Sequence, residues 1–412
     1  MFSLLSMAAR NLLRNKRRTT ITVLGIAMGL SLVQTAYNLN FGNYTKLLDS
    51  GIRGTAGHVV LQHPLWQDER EVEQVVEGSQ ALAGALKADN PEALIARRIF
   101  AGGLLTSPTN TIPSGILGID PEIESQLSRT DEKMVEGTWL EPGDSKGILI
   151  GDTLAKRLGV GLKGRVVVMA PAPDDPSESV SQLFRVRGIY HSGVATLDNF
   201  TGITTVEGAQ PLLRGTDPAH QIAVVYGDDT QTAAAFAKAE AMALGGAAAL
   251  SWKEAVPDLR SFIQADTQTN DSFFFVIGFI VVLGVVNTML MSVLERVREF
   301  GVMLAVGMRP GRLAMLVLTE GVLLGAAAAI LGTLLGAAFT YPLATTGLDF
   351  SAAYGETIET AGVAMDTLLI AKYAPTRMAA YAVSAIVMTV LASAWPAWRV
   401  TRMRPIQAIQ HL

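Results

Sequence analysis

The stretch SFFFVIGFIVVLGVVNTMLMSVLERVREFGVMLAVG, Ser272 to Gly307, decides the fold. Its first part, Ser272 to Leu294, carries no charge and is long enough to cross a bilayer, which takes about 20 helical residues. Charges then crowd into Glu295, Arg296, Arg298 and Glu299, and apolar residues resume at Phe300, Val302, Met303, Leu304 and Val306. Three other stretches pass the same length test. Thr19 to Phe41 and Met378 to Trp398 are uncharged, and Leu313 to Tyr341 holds one charge, Glu320. Composition agrees: 49% of residues are hydrophobic, 17% are charged, and mean hydropathy is +0.32. A soluble domain carries about 25% charge. With no cysteine, a disulfide framework, a thiolate zinc site and a cysteine nucleophile are all excluded.

Basic residues orient the spans. Arg10, Arg14, Lys16, Arg17 and Arg18 precede the first. Arg296, Arg298, Arg309 and Arg312 join the second to the third, and Arg399, Arg402 and Arg404 follow the fourth. Four spans put these three pieces on one side, which the positive-inside rule makes cytoplasmic, whereas the long segment after the first span is acidic in excess. The expected order is a cytoplasmic amphipathic helix (1–18), span 1 (19–41), a large external domain (42–271) and span 2 (272–294). A cytoplasmic link (295–312), span 3 (313–341), an external loop (342–377), span 4 (378–398) and a cytoplasmic tail (399–412) complete it. No cleavage site follows span 1, so it is read as a retained helix. In residues 1–18, Phe2, Leu5, Ala9, Leu12 and Leu13 share one helical face opposite the arginines, a pattern suited to the cytoplasmic interface.

The large external segment mixes strand and helix patterns and predicts an α+β domain. Strands are expected at His58–Gln62, Gly147–Ile150, Arg165–Ala170, Phe184–Tyr190 and Gln221–Tyr226, and helices at Glu69–Ala88, Thr153–Leu158 and Thr230–Leu244. Ala170 to Ser181, rich in Pro, Asp and Ser, reads as a protruding loop. No phosphate-binding loop or H-E-x-x-H motif occurs, so neither ATP hydrolysis nor a known catalytic constellation is expected in this chain. His58 and His63 are poorly spaced for a metal, and His191 beside Ser192 is a weak catalytic signal. No metal and no nucleic-acid partner are expected.

The link after span 2 says more. An apolar patch in a short cytoplasmic segment needs something to bury it. Either it docks as a short helix in a groove of a cytosolic subunit, with Gly301 and Gly307 permitting turns or close approach, or it lies among the lipid headgroups. Gly25/Gly29, Gly321/Gly325 and Gly332/Gly336 provide small faces for helix packing in lipid. Glu320 must face protein, water or a polar partner, in a structural role or as a proton relay. Gln34, Asn38 and Asn287 are expected to bond across helices.

These features resemble the type VII ABC transporter permeases, the family of MacB, FtsX and the lipoprotein-releasing permeases LolC and LolE. The resemblance rests on Arg10 to Thr19 (RNLLRNKRRT), Glu295 to Gly307 (ERVREFGVMLAVG), and Pro396 to Val400 with Pro405 to Ile409. Strings in the external segment are similar to the lipoprotein-releasing branch. They are Gly118 to Glu122, Glu136-Gly137, Ile148 to Ala155, Arg157 to Val160, Phe184 to Gly193, Asp198 and Gly208 to Leu213.

The resemblance implies a membrane protein of four transmembrane helices with a large α+β extracytoplasmic domain between helices 1 and 2. That domain would have two lobes, the inserted one near 115–190. It implies a bacterial inner-membrane location with both termini cytoplasmic and the large domain periplasmic. No cofactor would bind this chain; a cytosolic ABC ATPase dimer would hold ATP and Mg. Glu295, Arg298, Glu299, Phe300, Gly301, Leu304, Ala305, Val306 and Gly307 would couple to that ATPase. A second permease chain, identical or related, would complete a cavity among the membrane lipids, with Gln34, Asn38, Phe274, Ile277 and Asn287 as candidate lining. The expected substrate is a lipoprotein extracted for a periplasmic chaperone, and Asp174, Asp175 and Pro176 are candidate chaperone contacts. The alternatives are a MacB-like tripartite efflux or glycolipid exporter and an FtsX-like regulator of wall hydrolases.

Overall fold

The computed structural model describes residues 2–172, 178–226, 236, 239–240, 247–355, 357–360 and 362–402. The chain divides into two compact units. One comprises Met1–Tyr44, Gln264–Asp349 and Leu368–Leu412, the other Thr45–Ile263 and Phe350–Thr367.

The first unit is a helical bundle. Four helices are long and apolar enough to cross a membrane: Lys16–Gly51, Pro257–Glu295, Pro310–Thr345 and Pro375–Thr401. We refer to them as the span 1 to span 4 helices. All outrun the apolar stretches from which they were expected, because the polar residues flanking those stretches are competent helix formers. Proline opens three of them, at Pro257, Pro310 and Pro375. Its fixed φ suits the first helical position, and the N–H it lacks would have had no partner there. The short N-terminal helix, Phe2–Arg14, precedes span 1. Its inward residues are Ala8, fully buried, with Leu4 and Met7 beside it, while Leu5 and Leu13 are exposed. The helix is amphipathic as expected, but Leu5 and Leu13 belong to the outer face.

Small residues let the spans approach. A Cβ placed on Gly332 would stand 2.9 Å from the Ala27 carbonyl oxygen, so span 3 meets span 1 almost backbone to backbone there. Gly321 and Gly325 face Ser393 and Thr389 of span 4 in the same manner.

The second unit is built on a ten-stranded sheet. Its strands are β1 (Val59–Gln62), β2 (Leu94–Thr106), β3 (Thr111–Ile119), β4 (Met134–Gly137), β5 (Gly147–Gly151), β6 (Arg165–Pro171), β7 (Ser179–Tyr190), β8 (Thr201–Thr205), β9 (Gln221–Val225) and β10 (Ala248–Ser251). The order is β10-β1-β9-β2-β3-β8-β5-β7-β4, with β6 bridging β2 and β7. The pairs β3–β8 and β5–β7 are parallel. One large core, under β5, β6, β7 and the helix Asp152–Leu158, gathers Ile148, Leu154, Val166 and Phe184. Another gathers Val59, Leu61, Ile95, Ile222 and Val224 under the helix Ser79–Asp89.

All five expected strands form. The helix expected over Glu69–Ala88 is reduced to Ser79–Asp89, because Val76 is drawn into a bridge with Ala219 and Gly78 turns with φ +64°. The helix expected at Thr230–Leu244 lies mostly outside the described residues. In the loop after span 3, Leu348–Asp349 pairs with Leu368–Leu369, and Thr357–Thr360 with Val363–Asp366, neither of which the sequence reading anticipates.

His220, at the edge of β9, is fully buried. Its Nδ1 accepts the Phe100 N–H at 3.1 Å and its Nε2 lies 3.2 Å from the Val72 carbonyl, so the neutral Nε2–H tautomer satisfies both. Burial pushes its pKa down from 6.5 to about 4. Between those values the unfolded chain holds the extra proton, so stability falls as pH falls through this window. The unfolding midpoint of the sheet unit is therefore expected to drop on acidification from about pH 6.5 to about 4. His220→Gln is expected to flatten that slope; an unchanged pH profile in the variant would assign it to other groups.

Candidate functional site

The span 2 helix stops at Glu295 because Arg296 leaves helical geometry, with φ −112° and ψ 16°. A second helix, Val297–Ala305, starts at once and is the element expected to meet a cytosolic subunit. Its end is well made. Met308 N–H bonds the Met303 carbonyl at 3.0 Å and Gly307 N–H bonds that of Leu304 at 3.1 Å, a Schellman motif with Gly307 at φ +101°. Only glycine adopts that φ without strain. Pro310 then opens span 3.

At 3.6 residues per turn the short helix divides into two faces. Phe300 is fully buried against Ala8, Val293, Leu313, Leu316, Val317, Ala397 and Val400, with Met303 and Leu304 packed beside it and Gly301 also buried. Arg298, Val302, Ala305, Val306 and Gly307 are exposed, Val306 to 83%. Phe300 and Gly301 therefore cannot be contact residues for an ATPase, contrary to the sequence expectation. The largest apolar side chain of the motif anchors the helix to its own bundle. Val302, which that expectation left out, belongs to the exposed face.

Charges lock the base of this helix. Glu320, 3% exposed in span 3, accepts from Arg296 Nη1 at 2.8 Å and from Asn11 Nδ2 of the N-terminal helix at 2.7 Å. Arg296 also donates to Glu299 at 3.1 Å and stacks over the Phe300 ring at 4.9 Å. Glu299 is bridged to Arg14 at 2.6 Å, and Glu295 to Arg18 at 2.6 Å. Burial raises the Glu299 carboxyl, but the hydrogen bonds from Arg296 and Arg14 outweigh it and hold the group below the usual carboxylate range. This is the structural role for Glu320. Arg296 was missed as a site residue, although a lone carboxylate inside an apolar span signals that a cation must reach it.

The candidate cavity residues separate. Gln34 and Asn38 are fully buried. Gln34 donates to Thr333 Oγ1 at 3.2 Å and to the Met378 carbonyl at 3.0 Å. Asn38 donates to Thr340 Oγ1 at 3.1 Å and accepts the Ala374 N–H at 3.2 Å. They tie span 1 to spans 3 and 4, as cross-helix bonding requires, and do not line an open face. Phe274 packs against Tyr381 with ring centroids 4.6 Å apart and the rings tilted by 42°, and Ile277 covers the approach to Gly29. Asn287 is exposed on span 2, among Phe279, Ile280, Leu283 and Met291, and span 1 exposes Ile21, Leu24, Met28 and Leu32. The candidate chaperone contacts Asp174, Asp175 and Pro176 lie outside the described residues, between β6 and β7, which pair as far as Pro171 and Ser179.

Asp152, His191 and Asp198 bring ligand atoms within 4.8 Å of one another. Asp198 is occupied by the Ser192 N–H and hydroxyl and the Gly193 N–H, at 2.7 to 3.0 Å, which makes it a clamp on the turn after β7. Asp152 shares its charge with Lys156 at 2.9 Å.

Removing one partner of a buried pair strands the other, at a cost of about 3 kcal/mol. Arg296→Met and Glu320→Met should each lower the melting midpoint of the detergent-solubilised chain, and the double variant should recover most of the loss. A double variant whose loss equals the sum of the singles would refute the pairing.

A model of the MacB-like periplasmic core domain matches residues 19–242, and one of the FtsX-like permease C-terminal matches residues 272–405. The chain is 23% identical to the lipoprotein-releasing system transmembrane protein LolC of Xylella fastidiosa over the whole of both chains. It is also 23% identical to the macrolide export ATP-binding/permease protein MacB of Hyphomonas neptunium, over 90% of this chain and 58% of that protein. The periplasmic region of MacB from Actinobacillus actinomycetemcomitans superposes with a TM-score of 0.37 at 12% identity, covering 52% of this chain and 95% of that one. With more than half its length matched by the first model, the chain belongs to the MacB- and FtsX-like permeases of ABC transporters.

Proposed function

We propose that this permease extracts lipoproteins from the bacterial inner membrane and passes them to a periplasmic chaperone. The work comes from a separate cytosolic ATPase dimer that carries the ATP and Mg. The observation that carries this reading is the outward face of the helix Val297–Ala305. Val302, Ala305 and Val306 stand exposed on an element whose other face and base are fixed. An ATPase groove that buries this face gains the helix without having to order it.

Two permease chains, identical or related, bind two ATPases, and ATPase closure draws the two short helices together. Each short helix is bound to span 3 through Arg296 and Glu320 and to the N-terminal helix through Glu299 and Arg14, and Asn11 ties the N-terminal helix to Glu320, so these elements move as one body. Both termini are cytoplasmic in this arrangement, and the sheet domain is periplasmic. The exposed apolar faces of spans 1 and 2 from the two chains frame a cavity open to lipid. Each acyl CH₂ drawn from the bilayer costs about 0.8 kcal/mol, so a multi-chain anchor calls for ATP-scale work and a sheltered acceptor. Similarity to LolC over the full length of both chains supports this substrate.

A MacB-like export role is the second reading, since MacB of Hyphomonas neptunium is equally identical. In that case the partner is an adaptor and an outer-membrane channel.

The test reconstitutes the chain with its ATPase and an acylated lipoprotein, and scores release with a lipid-binding chaperone present. Val306→Asp should cut ATP-dependent release at least about tenfold, equivalent to roughly 1.4 kcal/mol of coupling, while the chain melts as the parent does. Phe300→Asp, by contrast, should fail to fold. Release unchanged by Val306→Asp would refute the docking face. Release absent from the parent complex, with export of a small amphiphile in its place, would favour the second reading.

A further inference from the structure

The span 1 helix ends at Gly51, and one π-helical turn, Ile52–Ala56, follows it directly. Gly57 N–H closes this turn on the Ile52 carbonyl at 2.7 Å. Gly57, with φ +70°, then lies so close to β9 that a Cβ on it would stand 2.7 Å from the Val224 carbonyl oxygen. The next N–H, of His58, bonds that carbonyl at 2.9 Å, and β1 begins at Val59. The chain passes from helix to interior strand with no loop between them. A single π turn inside regular structure often marks a functional position.

A wider turn leaves carbonyls off the α-helical ladder, and they need donors. Arg98 of β2, two strands from β1, supplies them. Its guanidinium donates to the carbonyls of Thr55 and, at 3.1 Å, of Arg53. The same group grips Glu124 with two bonds, at 2.9 and 3.2 Å. Both side chains are buried, Arg98 to 3% exposure and Glu124 to 6%. Glu124 lies on the helix Pro121–Leu127 after β3, whose Leu127 packs on Ile52 of the turn beside Ala96 and Val225.

A buried ion pair is a poor way to add stability, because an apolar pair of similar volume does as well or better. What a guanidinium adds is direction: its donors lie in one plane at fixed angles. Here that plane ties two carbonyls of the turn and one carboxylate to the sheet.

We propose that Arg98, held by Glu124, is a positioning residue that fixes the outer end of the span 1 helix to the sheet. Displacement of that helix then turns the sheet and is not absorbed by the bend. This rests on the reading of the chain as an ATPase-driven permease, and its test has one readout that does not depend on that reading.

The chain has no cysteine, so labels can be placed at will. Gly54, where a Cβ meets nothing within 4 Å, and the exposed Glu122 take nitroxides as Gly54→Cys and Glu122→Cys. In the purified full-length chain the parent is expected to give one narrow interspin distance. Arg98→Met should broaden it, and so should the apolar pair Arg98→Met/Glu124→Leu, which restores the melting midpoint. In the reconstituted complex, that pair should lose at least about fivefold in substrate released per ATP, the lower range for an energetic coupling, with ATPase rate retained. A merely stabilising pair would leave release per ATP at the parent value in the well-folded double variant. A narrow distance or unchanged release per ATP in the double variant overturns the proposal. If the parent itself releases no lipoprotein, the transport reading fails, and the interspin distance still decides the joint.

Discussion

A carboxylate inside an apolar helix bundle must have a cation and hydrogen-bond donors, and Glu320 is that carboxylate here. Its demand explains why span 2 breaks where it does. Arg296 leaves helical geometry one residue after span 2 ends, and from there its guanidinium reaches Glu320, Glu299 and the Phe300 ring together. Had Arg296 continued the helix, its side chain would have been free to point into lipid. The break, the pair and the burial of Phe300 are one arrangement. Asn11 adds the N-terminal helix to it, so a segment that reads as a basic interfacial anchor also serves as a wall of the core around Phe300.

That arrangement also decides which surface can meet a partner. Burying Phe300 turns Val302, Ala305 and Val306 outward by helical periodicity alone. The Schellman motif at Gly307 stops the helix while Val306 is still exposed, and Pro310 redirects the chain into span 3. The outward face is small, apolar and rigid. A partner that covers it loses little conformational entropy, because the ordering has been done within the fold.

Much of this was legible in the sequence because lipid enforces simple rules. Four apolar runs, their basic flanks and glycines at four-residue spacing mark the spans, and the strands at β1, β5, β6, β7 and β9 show apolar or alternating runs between turn residues. What escaped reading depends on pairing between distant positions. The patch after span 2 shows its apolar residues, but which of them faces inward depends on Ala8, Leu313 and Ala397, which no local pattern connects. Gln34 and Asn38 bond across helices as expected, but the close approach at Gly332 encloses them with spans 3 and 4 and not on the expected cavity wall. Nothing local to Arg97 and Arg98 marks their partners. Alternation in β2 sends them to opposite faces, where Arg97 meets Asp120 and Asp217 and Arg98 meets Glu124.

The two helix breaks share a design. At one, Arg296 leaves span 2 and is held by Glu320; at the other, the turn after span 1 is held by Arg98 and Glu124. A helix resists bending along its length, so a chain of helices yields first at its joints. Apolar packing alone would let such a joint slide among rotamers of similar energy. A guanidinium bound to a buried carboxylate has one good geometry, and leaving it exposes charge to a medium that cannot solvate it. The same logic predicts where compliance belongs in a permease of this kind. It belongs at the exposed apolar faces of spans 1 and 2, which hold no buried charge among the described residues.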